Sequence, residues 1–440
     1  MKVFFASLGC DKNLVDSEKM LGLLDEAGHT IIDNEEEADI IIINTCSFIH
    51  DAMEESINSV IEYGKYKEND NLKALIMTGC LAERYKEEIF KELPEVDAVI
   101  GTNSYDKIID VINDVLGDRR DSLVCDTLDK PVNPKKRLLS TGGHFAYLKI
   151  AEGCNKRCTY CIIPTLRGNY RSFPIEDIVA EATELVRYGV KELILVAQET
   201  TVYGMDIYGS KKLTELLDKL QEIEGLDWIR LLYCYPEEID DDLIEAIIRN
   251  DKVCHYIDMP IQHSEDSILS RMGRKTNKAS LQAVINRLRD RIPDIVIRTT
   301  LITGFPGETE DEFNSLCEFV KDNRFNRLGV FSYSREEGTK AFDMDGQVDD
   351  DIKDSRRDII MSLQQDISHS NNEALLEKEF DVFIEGKLVD DDVYIGRTYM
   401  DAPDVDGYFF VNSDKEINSG DFVRAKVTDY NEYDLIGEAT

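Results

Sequence analysis

The chain of 440 residues is long enough for two or three domains, and its 42% hydrophobic content is that of a globular protein able to fold without disulfide staples. Against 88 Asp and Glu stand 51 Lys and Arg, a formal net charge of −37 that repels nucleic acid at long range and attracts basic partners, or else reflects a generally acidic cytoplasm. No apolar run approaches the roughly 18 residues of a membrane span, and MKVFFASLGCDKN passes into charged residues without a signal-peptide cleavage site. A cytoplasmic location is therefore expected, where ten cysteines read as metal ligands, catalytic groups or core residues rather than disulfides.

Apolar, β-branched runs alternate with amphipathic stretches through the first 370 residues, the pattern of an α/β protein with parallel strands. KVFFASLG runs into Cys10, ADIIIINT into Cys46 and LKALIMTG into Cys80, whereas a fourth run, VDAVIG, ends without a cysteine. The C-terminal ends of parallel strands share one edge of a sheet, where ligands bind, so cysteines separated by 36 and 34 residues are expected to meet in space. The alternative is three small, chemically quiet core residues.

Residues 1–125 thus form an expected first α/β domain, and residues 126–143, rich in Pro, Gly and charge, an expected linker. A second α/β series over 144–370 offers six strands, FAYLKI, KELILVA, WIRLLY, HYIDMP, DIVIRTTLI and RLGVFSY. Six βα units fall short of a full eight-unit barrel and predict a partial one. Helices are predicted for PIEDIVAEATELVRYG, between Pro174 and Gly189, for NKASLQAVINRLRDRI, and for a long polar stretch over 349–379. Residues 371–440 change to short alternating runs separated by Gly, Asp and Asn, predicting a five-stranded antiparallel β-barrel. That segment holds 6 Lys and Arg against 18 Asp and Glu, a local net charge of −12.

The chemistry concentrates at GCNKRCTYC. Cys154, Cys158 and Cys161 follow a strand at CxxxCxxC spacing, which lets three thiolates wrap one face of a cubane and leaves one iron without a protein ligand. Structural zinc, the competing reading, needs a fourth ligand, for which His144 is the nearby candidate.

CNKRCTYC, with the aromatic Tyr160 before the third cysteine, resembles the signature of radical S-adenosylmethionine enzymes. In that family the open iron is chelated by S-adenosylmethionine, whose reductive cleavage yields a 5'-deoxyadenosyl radical; the protein excludes water and positions the target. Together with Cys10, Cys46 and Cys80 and a small C-terminal barrel, the whole chain resembles the methylthiotransferases, whose terminal barrel is a TRAM domain. The resemblance implies two 4Fe-4S clusters: one on Cys154, Cys158 and Cys161, and an auxiliary one on Cys10, Cys46 and Cys80 where the inserted sulfur is bound. It also implies S-adenosylmethionine contacts at Tyr160, at Gln198, Glu199 and Thr200 of VAQET, and at Gly304 and Gly307 of GFPGET. Cys125, Cys234, Cys254 and Cys317 lack comparable spacing and read as structural, and the basic cluster Arg271, Arg274 and Lys275 as a solvated helix end.

SLGCDKNLVDSE and GRTYMDAPDVDG are similar to the RimO type, which modifies the β-carbon of an aspartate in small-subunit ribosomal protein S-twelve. Asp11 stands where that type often has proline, and Glu199 where it often has aspartate. Charge points the same way, since a tRNA binder gains affinity from cations on phosphates, whereas an acidic terminal barrel suits a basic ribosomal protein. The alternatives are a MiaB-type tRNA adenosine methylthiotransferase and a non-catalytic iron-sulfur redox protein. An electron donor is implied but not identified by the sequence.

Overall fold

The structure, a computed structural model, describes residues 1–69, 72–117, 119, 122–125, 136–389 and 392–440. Residues 126–135 of the expected linker lie outside the described residues. The chain divides into two compact units, one of Met1–Ser140, Ala151–Phe173 and Glu336–Thr339, the other of Thr141–Ile150, Pro174–Arg335 and Lys340–Thr440. The CxxxCxxC loop therefore belongs, with the short strand Ala151–Glu152 that leads into it, to the first unit, whereas Phe145–Lys149 belongs to the second.

In the first unit six parallel strands, β1 (Lys2–Ser7), β2 (Thr30–Ile32), β3 (Ile40–Thr45), β4 (Ala74–Gly79), β5 (Ala98–Ile100) and β6 (Ser122–Val124), form a sheet in the order β2-β1-β3-β4-β5-β6. Ile40, Ile42 and Ile76 face one core with Met20 and Leu24 of the helix Asp11–Glu26, while Ile41, Ile43, Leu75 and Met77 face the other with Val60 and Leu81. Burial on both faces explains why IIII reads as a continuous apolar run instead of an alternating one. The strand order reverses between β1 and β3. At such a switch point the connections leave to opposite faces, opening a crevice at the C-terminal strand ends. Within the described part of the expected linker, Arg137 Nη2 lies 2.5 Å from the fully buried Glu18 Oε2, and the Ser140 amide donates to Glu18 Oε1 at 2.8 Å, so residues 136–140 are tied to the first helix. The same stretch crosses the first helix at Gly22, where a Cβ would stand 2.6 Å from the Lys136 carbonyl oxygen.

In the second unit the six expected strands occur as Phe145–Lys149, Glu192–Val196, Trp228–Leu231, Val253–Asp258, Val296–Thr303 and Arg327–Ser332, paired in parallel in chain order. Ile175–Arg187 follows Pro174, and Lys278–Arg291 opens with a capping box between Asn277 and Ser280. The polar helix runs Asp350–Glu373.

Strands Glu379–Lys387, Val393–Arg397, Phe409–Asn412, Phe422–Tyr430 and Leu435–Ala439 close into a barrel. Four of its pairings are antiparallel; the fifth, Phe409–Asn412 with Leu435–Ala439, is parallel. The expected five-stranded antiparallel barrel is present, and its one parallel pairing is topological: around a closed ring of five strands, directions cannot alternate throughout. Among the described residues no helix is long and apolar enough to cross a membrane.

Candidate metal centre

Cys10, Cys46 and Cys80 sit where the sheet delivers them, three residues after β1 and immediately after β3 and β4. Cys10 is the N-cap of the helix that Asp11 begins. That first helical position favours proline, yet an aspartate there is stabilised by the helix dipole, so the departure at Asp11 leaves the local structure intact. Gly9 has φ +87°, and a Cβ on it would stand 2.7 Å from Cys46 Cβ and 2.9 Å from its Sγ. Only glycine lets the first loop pass so close to the second cysteine.

A polar lattice ties the three strand ends together. Asn13 Nδ2 donates to the Leu8 and Thr45 carbonyls, both at 3.0 Å, and Asn44 Nδ2 to the Asn13 carbonyl and Ser17 Oγ, both at 2.9 Å. Thr45 Oγ1 donates to the Thr78 carbonyl at 2.6 Å, and the Cys46 amide to Ser56 Oγ at 3.0 Å.

Burial, then the neighbouring Cys80 and Cys10, push the Cys46 thiol up to about 12. Burial likewise raises Cys80, with Arg167 opposing it and Cys10 adding to it. Without metal Cys46 and Cys80 are protonated thiols, and loading iron must displace their protons. Among the described residues no three His, Cys, Asp or Glu side chains stand close enough to share one metal ion. Cubane thiolates, each on a different iron, stand further apart, and three converging thiols with glycine-made clearance suit that group.

Arg167 is the cation of this site and is buried. Its Nη1 donates to Asp16 Oδ2 at 2.7 Å and to Glu152 Oε2 at 3.1 Å; its Nη2 donates to Asn13 Oδ1 and approaches Cys80 Sγ at 3.6 Å. Burial works against its charge, but Glu152, Cys80, Asp16 and Cys10 hold its pKa well above the ordinary arginine value. Sequence reading missed Asn13, Asp16, Glu152 and Arg167; the only signal was the SLGCDKNLVDSE stretch, quoted for its resemblance rather than its contacts.

The CxxxCxxC loop lies in the same unit. Cys154 and Cys158 are buried and Cys161 partly so. The Cys154 amide donates to the Gly168 carbonyl at 3.1 Å, the Tyr170 amide to Asn155 Oδ1 at 3.1 Å, and the Lys156 amide to Cys154 Sγ at 3.4 Å. Gly153, at φ +80°, and Arg157, at φ +52°, supply the left-handed turns that fold the loop back on itself. Directly after Cys161, Ile162 and Leu166 pack against Cys80, joining the two cysteine sets through one small apolar cluster.

Of the residues expected to hold S-adenosylmethionine, Tyr160 belongs to the first unit and the others to the second. Glu199 is buried and accepts from Thr201 Oγ1 at 3.4 Å, and Thr200 Oγ1 donates to the Leu232 carbonyl at 2.8 Å. Gly304 and Gly307 have φ +68° and +84°; a Cβ at 304 would also collide with Lys353 at its Cβ and Cγ, whereas one at 307 would meet only the movable Arg271 guanidinium, so there it is the left-handed backbone that favours glycine. The solvated-helix-end reading fails at Arg274, which is buried, lies 4.4 Å over the Tyr235 ring and donates to the Pro260 carbonyl at 2.8 Å. His144 is occupied in the second unit, edge-on to Phe383 with Nε2 3.8 Å from Glu385 Oε1. Cys234 and Cys254 are buried, their thiols pushed up to about 12 chiefly by that burial, as inert structural cysteines are.

Comparison with known proteins agrees with this architecture. Residues 2–101 match the family described as Uncharacterized protein family UPF0004, residues 148–320 the Radical SAM superfamily, whose members use a 4Fe-4S cluster and S-adenosylmethionine, and residues 378–440 the TRAM domain. The chain is 56% identical over 439 residues, 100% of both chains, to a protein of Lachnoclostridium phytofermentans named ribosomal protein uS12 methylthiotransferase RimO. It is 52% identical to a protein of the same name from Acetivibrio thermocellus, over 99% of this chain and 98% of the relative. In fold it is similar to the radical S-adenosylmethionine methyltransferase TsrM of Kitasatospora setae, with a TM-score of 0.56 at 12% identity over 75% of this chain and 72% of that one. The chain belongs to the RimO family of radical S-adenosylmethionine methylthiotransferases.

Proposed function

We propose that the protein methylthiolates the β-carbon of an aspartate in the small-subunit ribosomal protein uS12, replacing C–H by C–SCH3. Clusters held by Cys154, Cys158 and Cys161 and by Cys10, Cys46 and Cys80 would supply, with S-adenosylmethionine, the radical that abstracts hydrogen and the sulfur that is inserted. The observation that carries this reading is the placement of Cys10, Cys46 and Cys80 just past the ends of the neighbouring parallel strands β1, β3 and β4, with Gly9 passing against Cys46 and Cys80 packed on Ile162 and Leu166 just after the CxxxCxxC loop. The chain's own residues do the positioning. Asn13 and Asn44 hold the strand-end loops, Gly9 and Gly153 clear the backbone, and the apolar Ile162 and Leu166 exclude water beside Cys80. Cofactor-binding roles are assigned by the resemblance to Tyr160, Gln198, Glu199, Thr200, Gly304 and Gly307.

Charge supports a basic protein substrate over tRNA. Of the six basic side chains in the terminal barrel, Lys387, Arg397, Arg424 and Lys426 are already paired with carboxylates, leaving little to neutralise phosphates. The test is mass spectrometry of uS12 from cells with and without the gene. Loss of about 46 Da, one SCH2 unit, on deletion is expected, the inserted group being chemistry the cofactors carry; an unchanged mass contradicts the assignment.

A further inference from the structure

The guanidinium of Arg167 joins four stretches of chain that sequence keeps apart. Asn13 and Asp16 belong to the helix after Cys10, Glu152 to the strand before the CxxxCxxC loop, Cys80 to the end of β4, and Arg167 to the helix after Cys161. An ion pair with Asp16 and Glu152 alone would serve to lock the fold. The second nitrogen, aimed at Cys80 Sγ from 3.6 Å, goes beyond what a lock requires. At 2% exposure the charge is poorly screened, so one unit of charge gained or lost here is felt strongly at the sulfur. Hydrogen bonds to ligating sulfurs and local net charge are two of the means by which a protein sets an iron-sulfur potential.

We propose that Arg167 is a positioning residue that sets the reduction potential of the auxiliary cluster, through its bond to Cys80 Sγ and its fixed positive charge, with Asp16 as the opposing charge. The inference rests on the reading of Cys10, Cys46 and Cys80 as cluster ligands. A guanidinium suits the task because its fork donates in several fixed directions at once, to two carboxylates, an amide oxygen and a sulfur, and it cannot lose its proton.

The test uses the full chain carrying Cys154→Ala, Cys158→Ala and Cys161→Ala, reconstituted anaerobically with iron and sulfide so that any cluster is the auxiliary one. Its midpoint potential is read by EPR-monitored redox titration. Arg167→Gln is expected to shift the midpoint to more negative values, Asp16→Asn to more positive values, and Arg167→Lys to an intermediate one, since it keeps the charge and loses the fork. A purely structural role would lower iron content or thermal stability in all three without moving the potential in opposite directions. If Arg167→Gln does not fold, Asp16→Asn still decides: a midpoint unchanged or more negative than the parent's overturns the proposal. A parent that holds no cluster overturns the auxiliary-cluster reading, and this inference with it. A cluster present with one potential in every variant overturns the inference alone.

Discussion

Arg397 Nη2 lies 2.7 Å from Glu192 Oε2, and neither side chain has any exposed surface. Arg230 Nε donates to the other Glu192 oxygen at 2.7 Å, and Arg397 Nε donates to Glu385 Oε1 at 2.7 Å, so strands 192–196 and 228–231 of the sheet and two strands of the terminal barrel share one buried ionic network. Removing one member strands a desolvated charge. Arg397→Met is expected to cost about 3–5 kcal/mol, read as a lowered denaturant midpoint of the apo protein. A shift under about 1 kcal/mol, the range of exposed pairs, would contradict burial of the network.

The same network predicts acid lability. Burial opposes ionisation of Glu192, but Arg397 and Arg230 outweigh it and its pKa is lowered; Glu385 is lowered too, burial being outweighed by His144 and Arg397. A carboxylate with a depressed folded pKa contributes stability above its unfolded value, about 4.3, and loses it as pH falls through the folded one. Denaturant midpoints measured downward from pH 7 are expected to hold until about pH 4 and then drop, with a shallower drop in Glu192→Gln.

Glycines separate backbone strain from crowding. Gly28 has φ +78° with nothing near its would-be Cβ, whereas Gly79, at φ +94° just before Cys80, would press a Cβ into Asn44 Oδ1 and the Thr45 carbonyl. Gly28→Ala should cost only the left-handed backbone penalty, roughly 1–2 kcal/mol. Gly79→Ala should cost more and also displace Cys80, read as lost iron after reconstitution. Equal effects in both variants would contradict the crowding.

Much of this molecule is legible in its sequence because local signals suffice. Periodicity and strand-end placement locate Cys10, Cys46 and Cys80, and Pro174 and Asn277 mark helix starts. The strands Thr30–Ile32 and Ser122–Val124 escape such reading because three residues show no period and neither is fully buried. Buried polar networks escape for another reason. Arg167 and Asp16 are 151 positions apart, Arg397 and Glu192 205 apart, and an arginine in a sequence looks solvated until its partners are placed. Arg274, stacked on Tyr235, shows the same failure at shorter range.

Association with the substrate should depend on salt. On the proposed reading, a barrel segment with 6 cationic and 18 anionic residues would steer a basic substrate, and screening would remove that steering beyond a Debye length. The association rate with purified uS12 is expected to fall by roughly tenfold or more between low salt and about 0.5 M. A rate that rises with salt would contradict complementary charge.

Iron content tests the proposed pair of three-cysteine centres most directly. After anaerobic reconstitution the intact chain is expected to bind about eight iron atoms, and the triple alanine variants of Cys10, Cys46 and Cys80 or of Cys154, Cys158 and Cys161 about four each, while Cys125→Ser, Cys234→Ser, Cys254→Ser and Cys317→Ser each keep the full load. An intact chain that stops at about four iron atoms, or one whose load survives loss of Cys10, Cys46 and Cys80, contradicts the account.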